Sequence, residues 1–257
     1  MNLFNELTLK NGPLVGTIVS LTAPAAVEAI SRCGFDWVWI DMEHAPLSLE
    51  HVQNMLTAKH PGCAGFVRVP VNDETWIKRV LDLGADGVII PQVKTKEEAQ
   101  RAVSASKYPP VGTRSVGLAR AQAYGMNFAS YIKEANENVN VLLQIEHKDA
   151  VKNIESILEV QGIDAIIIGP YDLSGSFGKL GEVQDKKVID AIDTVHKACQ
   201  RVGVPIGIFQ MSAEAGKTYL EKGFQLVAVG SDIYYMWTAA KTSLDEVLKY
   251  GLVKPKK

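Results

Sequence analysis

Residues 35–46, FDWVWIDMEHAP, hold an apolar run, Trp37-Val38-Trp39-Ile40, that stops abruptly at Asp41, Glu43 and His44. Four apolar residues rich in aromatic and β-branched side chains read as a buried strand. Three ionisable groups within four positions of its end need a polar cavity, fixed partners or solvent. The same kind of run recurs along the chain: LVGTIVS (14–20), GFVRVP (65–70), GVIIPQ (87–92), NVLLQIE (140–146), AIIIGP (165–170), PIGIFQ (205–210) and LVAVGS (226–231). With WVWID that makes eight. Near-continuous apolar strands suit a parallel sheet covered on both faces.

Helical patterns fill most of the intervals. TAPAAVEAISRCG (22–34) opens on Thr22 as a cap and closes at Gly34, and SLEHVQNMLTAKHPG (48–62) starts from Ser48 with Glu50 in its first turn. Comparable segments follow each later strand, the last periodic stretch being 233–248. Eight strand–helix units predict an α/β fold, a single-domain (β/α)8 TIM barrel spanning 1–257. Two connections are long: residues 107–139 and 171–184. Such segments in a compact barrel are expected to be functional loops or lids.

Composition narrows the class. The 257 residues are 47% hydrophobic and 22% charged, with a net charge of -2, which gives no reason to expect nucleic acid as a partner. Cys33, Cys63 and Cys199 are scattered and lack CxxC spacing, so they read as reduced thiols of a cytoplasmic protein. The amino-terminal MNLFNELTLKNG has no long apolar stretch and reads as neither a signal peptide nor a membrane span. The terminal KPKK reads as a solvated end, too sparse for a membrane anchor.

In a barrel of this kind the site lies at the carboxyl ends of the strands. The polar residues that fall there are Asp41, Glu43 and His44, then Arg68, Gln92, Gln144 and Glu146, then Asp172, and finally Ser231 and Asp232. Glu146 and Asp172 end adjacent strands. Two carboxylates without nitrogen or sulfur ligands suit Mg²⁺ or Mn²⁺, with water or substrate oxygens completing the shell. The plainer reading is that each pairs with a nearby cation. Arg68 interrupts an apolar strand, so its guanidinium must reach a polar cavity or a fixed anion. A buried salt bridge to Asp41 or Glu43 is the alternative, and both can hold together. His44 is placed to act as a general acid or base if another group fixes its tautomer. Asp82, in VLDLG, is a possible orienter. His51, His60 and His196 fall on helical stretches and read as surface or packing residues, and His147 as a loop residue.

FDWVWIDMEHAP, VRVP, VLDLGADGVIIPQV, YPPVGTRSVG, QIEHKDAVKNIESILEVQGIDAIIIGPYDLSGSFG and GFQLVAVGSD together resemble the HpcH/HpaI aldolase family, in the family's order, from about residue 3 to 250. The resemblance implies a metal-dependent pyruvate aldolase that cleaves 4-hydroxy-2-oxo acids, among them 2-keto-3-deoxy-sugar acids and 4-hydroxy-2-oxo-dioates. It implies Mg²⁺, Mn²⁺ or Co²⁺ at Glu146 and Asp172 and no organic cofactor. Gln144 matches a glutamine beside the pyruvate site, and Arg68 the arginine on the pyruvate keto oxygen. His44 matches a proton-transfer histidine, Asp82 its partner, and Asp41 a supporting residue. Backbone N–H groups around Tyr171 and Asp172 match those that hold the pyruvate carboxylate. The resemblance also implies a hexamer, a trimer of dimers exchanging the last barrel helix. Tyr171 stands where some members have alanine, GSFG replaces ASLG or ASMG, and PQV replaces PMV. These departures leave the accepted aldehyde open. Rival readings are an oxaloacetate decarboxylase, a CoA-ester lyase, a Schiff-base aldolase using Lys94, and a pyruvate-binding assembly protein without turnover.

Overall fold

The computed structural model describes residues 12–250. The strands are β1 (Leu14–Val19), β2 (Trp37–Asp41), β3 (Ala64–Arg68), β4 (Gly87–Ile90), β5 (Asn140–Ile145), β6 (Ala165–Ile168), β7 (Ile206–Gln210) and β8 (Leu226–Ser231). Each pairs in parallel with its sequence neighbours, and β1 pairs with β8 to close the barrel. The helices around it are α1 (Pro24–Ser31), α2 (Leu49–Ala58), α3 (Glu74–Asp82), α4 (Lys96–Ser106), α5 (Phe128–Asn138), α6 (Lys148–Lys152), α7 (Ile154–Leu158), α8 (Pro170–Ser176), α9 (Lys186–Val202), α10 (Ala213–Glu221) and α11 (Asp232–Lys249). The expected (β/α)8 barrel is the fold observed. The amino-terminal stretch before Gly12 and the lysine-rich tail lie outside the described residues. Among the described residues no helix is long and apolar enough to cross a membrane.

The strands serve two separate cores. Val38, Ile40, Val67, Val88, Leu143, Ile166 and Ile168 face outward and pack against the helices. Trp37, Trp39, Phe66, Ile89, Leu142 and Ile167 face inward and fill the barrel. This is why period-two alternation vanishes from the sequence although it is strict in the structure: both faces are apolar. The inward layer is also sterically tuned. A side chain at Gly16 would fall inside the Trp37 ring, so the barrel accepts Trp37 by leaving β1 bare at its register partner.

Local signals set several helix starts as expected. Ser48 caps α2, its Oγ accepting from His51 N–H while His51 Nδ1 accepts from Ser48 N–H. Thr22 does not cap α1. The cap is Ala23, in extended conformation, followed by Pro24, whose fixed φ and missing N–H suit the first helical position. The segment 171–184 is not all loop, because residues through Ser176 belong to α8. Likewise 107–139 contains a 3₁₀ turn (Arg120–Gly125) and all of α5.

Candidate active site

Alternation along each strand carries the interior layer up to the rim. Trp37 and Trp39 point inward, so Asp41 does too. Phe66 is followed two residues on by Arg68, and Leu142 by Gln144 and then Glu146. The charge at the end of β2 therefore faces the same interior as its tryptophans, one layer higher. Asp41 and Arg68 sit side by side in the β2–β3 register. Arg68 Nε donates to Asp41 Oδ1 at 2.9 Å and Nη2 donates to Oδ2 at 2.7 Å, a two-point fork. The guanidinium lies 4.8 Å from the centre of the Trp39 ring. Its remaining nitrogen, Nη1, is 3.4 Å from Gln144 Oε1 and 3.0 Å from Glu43 Oε2. Both readings of the arginine hold: it is a buried ion pair and it lines the cavity. Asp41 Oδ1 further accepts the N–H groups of Glu43 and His44, at 3.0 and 3.3 Å, and so fixes the turn that carries them.

Glu146 is 2% exposed. Its Oε1 accepts Gln92 N–H at 2.8 Å, and its Oε2 accepts the Gln144 side-chain amide. Gln92 reaches it from a left-handed backbone conformation, φ 57°. Burial pushes the Glu146 carboxyl up to about 7, with Glu43 and Asp172 adding like charge and the Gln92 N–H opposing. Burial also raises Glu43. Gly169 leaves the space these groups need: a Cβ there would lie 2.7 Å from Glu146 Oε2 and 2.8 Å from Gln144 Nε2. Asp172 enters from the first turn of α8, and Tyr171 stands beside it at 41% exposure.

One cavity of about 310 Å³ is bounded by Asp41, His44, Arg68, Gln144, Tyr171 and Asp172 together with parts of β1, β7 and β8. The donor set suits a hard divalent cation. Glu43 Oε2 is buried with only the Arg68 ion pair beside it, and the negative charge of Asp172 opposes ionisation of both Glu43 and Glu146. Among the described residues no three His, Cys, Asp or Glu side chains form a ready-made ligand cluster. A Mg²⁺-type site, with one or two carboxylates and water or substrate oxygens around the ion, does not require such a cluster.

His44 sits at the mouth with its side chain 63% exposed, Nε2 3.8 Å from Glu43 Oε2. The expected pairing of His44 with Asp82 is not made within the chain. Asp82 ends α3, which runs from the rim back to the foot of the barrel, and it binds Arg114 Nη2 at 2.8 Å. Arg114 is itself buried against Tyr108 and Tyr131. His147 caps α6 by accepting Asp149 N–H, and His196 is buried against Phe224. No described strand residue is a lysine, so the strand-borne amine of a Schiff-base site is missing from the described barrel wall. Sequence reading passed over the Gln92 N–H, the Gly169 clearance, and Ile18, Ser20 and Phe209 in the cavity wall. The period-two continuation of each strand would have found Ile18, Ser20, Gly169 and Phe209.

Residues 15–239 match the family model described as HpcH/HpaI aldolase/citrate lyase. The chain belongs to this family. It is thereby an enzyme of the carbon–carbon lyase kind. It is 39% identical over 240 residues, 93% of each chain, to a 2-dehydro-3,6-dideoxy-6-sulfogluconate aldolase of Pseudomonas putida. It is 36% identical over 237 residues to a 5-keto-4-deoxy-D-glucarate aldolase of Escherichia coli, covering 91% of this chain and 92% of the relative. Among solved structures, an HpcH/HpaI aldolase/citrate lyase family protein from Burkholderia cenocepacia superposes with a TM-score of 0.92 at 34% identity, over 96% of this chain and 99% of the other.

Proposed function

We propose that this protein is a divalent-metal-dependent aldolase that reversibly cleaves a 4-hydroxy-2-oxo acid to pyruvate and an aldehyde. The observation that carries the reading is the Arg68–Asp41 fork lining one cavity with Asp172, while the half-buried Glu43 and the buried Glu146 stand directly behind it on Arg68 and Gln144. The aldolase names of the two relatives support the reaction class. In the cleavage, the C3–C4 bond breaks and its electron pair passes to the pyruvate half as an enolate. The C4 hydroxyl loses its proton and becomes the aldehyde carbonyl. Protonation at C3 completes pyruvate.

Glu146 and Asp172 would hold Mg²⁺, Mn²⁺ or Co²⁺, which supplies Lewis-acid stabilisation of negative charge on oxygen. Arg68 sets a second fixed positive charge toward the keto oxygen. It is held there by Asp41, so no reorganisation is needed as charge develops, and a well-placed donor of this kind contributes roughly 3–4 kcal/mol. Gln144, fixed between Arg68 and Glu146, packs beside pyruvate, and the Tyr171 and Asp172 N–H groups receive its carboxylate. His44 takes the hydroxyl proton, directly or through a water. Since its own chain's Asp82 is engaged elsewhere, a partner for its other nitrogen comes from Glu43, water or a second copy of the chain.

Assembly and location belong to the same reading. On α11, Ile233, Met236, Trp237, Leu244 and Val247 are 41–55% exposed, an apolar surface that supports exchange of this helix in a homo-oligomer, a hexamer built as a trimer of dimers. The enzyme works in the cytoplasm. The test is a panel of 4-hydroxy-2-oxo acids assayed for pyruvate release, with EDTA and with added Mg²⁺, Mn²⁺ or Co²⁺. Metal-restored release that is lost in Glu146→Ala and Asp172→Ala, with circular dichroism retained, supports the assignment. Release indifferent to EDTA would refute it.

A further inference from the structure

The part of the rim formed by β7, β8 and β1 has no role in the chemistry above, yet it walls the cavity with Ile18, Ser20, Phe209 and Ser231. It lies across the barrel from β4 and β5, the strands that lead to Gln92 and Glu146. Ser20 is fixed there. Its Oγ donates to Asp232 Oδ1 at 2.8 Å and its backbone N–H to Oδ2 at 2.9 Å. Leu21 N–H donates to the same Oδ2 at 2.8 Å, and Ile233 N–H to Oδ1 at 2.8 Å. Asp232 is 4% exposed, so two elements 212 residues apart are locked together at the cavity edge.

The direction of the Ser20 bond has a chemical consequence. A carboxylate only accepts, so the single hydroxyl proton of Ser20 is committed to Asp232. What Ser20 presents to the cavity is a lone pair. That suits a ligand O–H and opposes a carboxylate or sulfonate, whose oxygens also only accept. Charge acts in the same direction. Asp41, Glu43, Glu146 and Asp172 surround Arg68, the only lysine or arginine lining the cavity among the described residues. A divalent cation leaves that group negative, and the pyruvate carboxylate adds to it. A second anion bound on the β7–β8–β1 side would meet a repulsive field, with no cation beside it among the described residues of the chain.

We infer that Ser20, oriented by Asp232, is a specificity-determining residue for the second substrate, selecting an uncharged hydroxyaldehyde over an anionic semialdehyde. The inference rests on the aldolase reading and narrows it to 4-hydroxy-2-oxo acids whose far end is a neutral polyol. It is tested in the addition direction. There pyruvate C3 bonds to the aldehyde carbon, a methyl proton leaves, and the aldehyde oxygen takes one up. The full-length protein with MnCl₂ and pyruvate is offered glyceraldehyde, propionaldehyde or succinic semialdehyde. Glyceraldehyde should exceed succinic semialdehyde in kcat/KM by about tenfold or more. Ser20→Ala should lower the glyceraldehyde-to-propionaldehyde ratio about tenfold, the effect of one lost hydrogen bond, and propionaldehyde turnover reports that the variant is folded. Exchange of pyruvate methyl protons in D₂O, read by NMR without any aldehyde, tests the aldolase reading separately. If exchange proceeds but succinic semialdehyde equals or beats glyceraldehyde, or the ratio ignores Ser20→Ala, the inference is overturned and the aldolase reading stands. If no exchange occurs with metal present, both fall.

Discussion

Replacing Glu146 by glutamine should stabilise the metal-free protein and abolish its response to metal, two opposite effects from one atom exchanged. The carboxyl is 2% exposed and held near 7 in the folded protein, against 4.5 for an ordinary glutamate. The folded state therefore keeps this proton more tightly than the unfolded chain does. Its contribution to stability is complete below about pH 4.5 and is lost as pH rises through 7. At roughly 1.4 kcal/mol per tenfold change in proton affinity, the ionised group costs the apo-protein about 3 kcal/mol at pH 8. Glutamine carries no charge, but it cannot accept from both Gln92 N–H and the Gln144 amide as Glu146 does. One donor left facing an NH₂ costs about 1–2 kcal/mol. The net gain is about 1–2 kcal/mol at pH 8, or roughly 2–8 °C in Tm for a chain of this size. Near pH 5 the gain vanishes, because little of the carboxylate is then ionised.

With a divalent cation the order reverses. The wild type should gain about 2.7 kcal/mol at a hundredfold excess of metal over its Kd, while the glutamine variant gains little. Differential scanning calorimetry at pH 5 and pH 8, with EDTA or with MnCl₂, reads all of these quantities. The difference between the two proteins carries the test, since groups that do not face Glu146 titrate equally in both. Equal Tm elevation of wild type and variant by Mn²⁺ would remove Glu146 from the metal site. A variant less stable than wild type in EDTA at pH 8 would show that the carboxylate is held by its hydrogen bonds without the strain assigned to it.

Arg68→Lys keeps the charge but cannot bridge both Asp41 oxygens and also reach Gln144, and it should lower kcat/KM for pyruvate release by about 10²–10³; near-wild-type release would refute the fork's role. Gly169→Ala drives a methyl to 2.7 Å from Glu146 Oε2 and should weaken Mn²⁺ binding about tenfold by titration calorimetry, with the circular dichroism spectrum unchanged. Asp82→Ala strands the buried Arg114 guanidinium, whose Nε and Nη1 already lack hydrogen bonds, and should cost about 3–5 kcal/mol in denaturant unfolding. A thiol reagent at pH 8 should label Cys33 alone in the native protein, because burial pushes Cys63 and Cys199 up to about 12; labelling of more than one thiol before unfolding would contradict that.

The barrel was legible because parallel strands buried on both faces must be apolar throughout, and each of the eight runs stands out against polar helical segments. That same property hid which side chains face inward, since Trp39 and Ile40 are equally apolar yet belong to different cores. The rim broke the ambiguity. A charge at Asp41, Arg68 or Glu146 is tolerable only where its strand emerges into a polar space, so polarity at strand ends marks the rim in the sequence itself. The contacts that stayed hidden share a different cause. Within one chain α3 runs antiparallel to the strands and delivers Asp82 to the far end of the barrel, where Arg114 arrives from the long segment after α4. The Ser20–Asp232 clamp exists only because β1 closes on β8, and closure joins the two ends of the sequence without marking either. Chemistry that depends on residue type was thus readable residue by residue, whereas chemistry that depends on which donor faces which acceptor needed the closed ring. Specificity for the second substrate belongs to the latter kind, because a serine that donates to Asp232 and one that donates to a ligand are the same letter in the sequence.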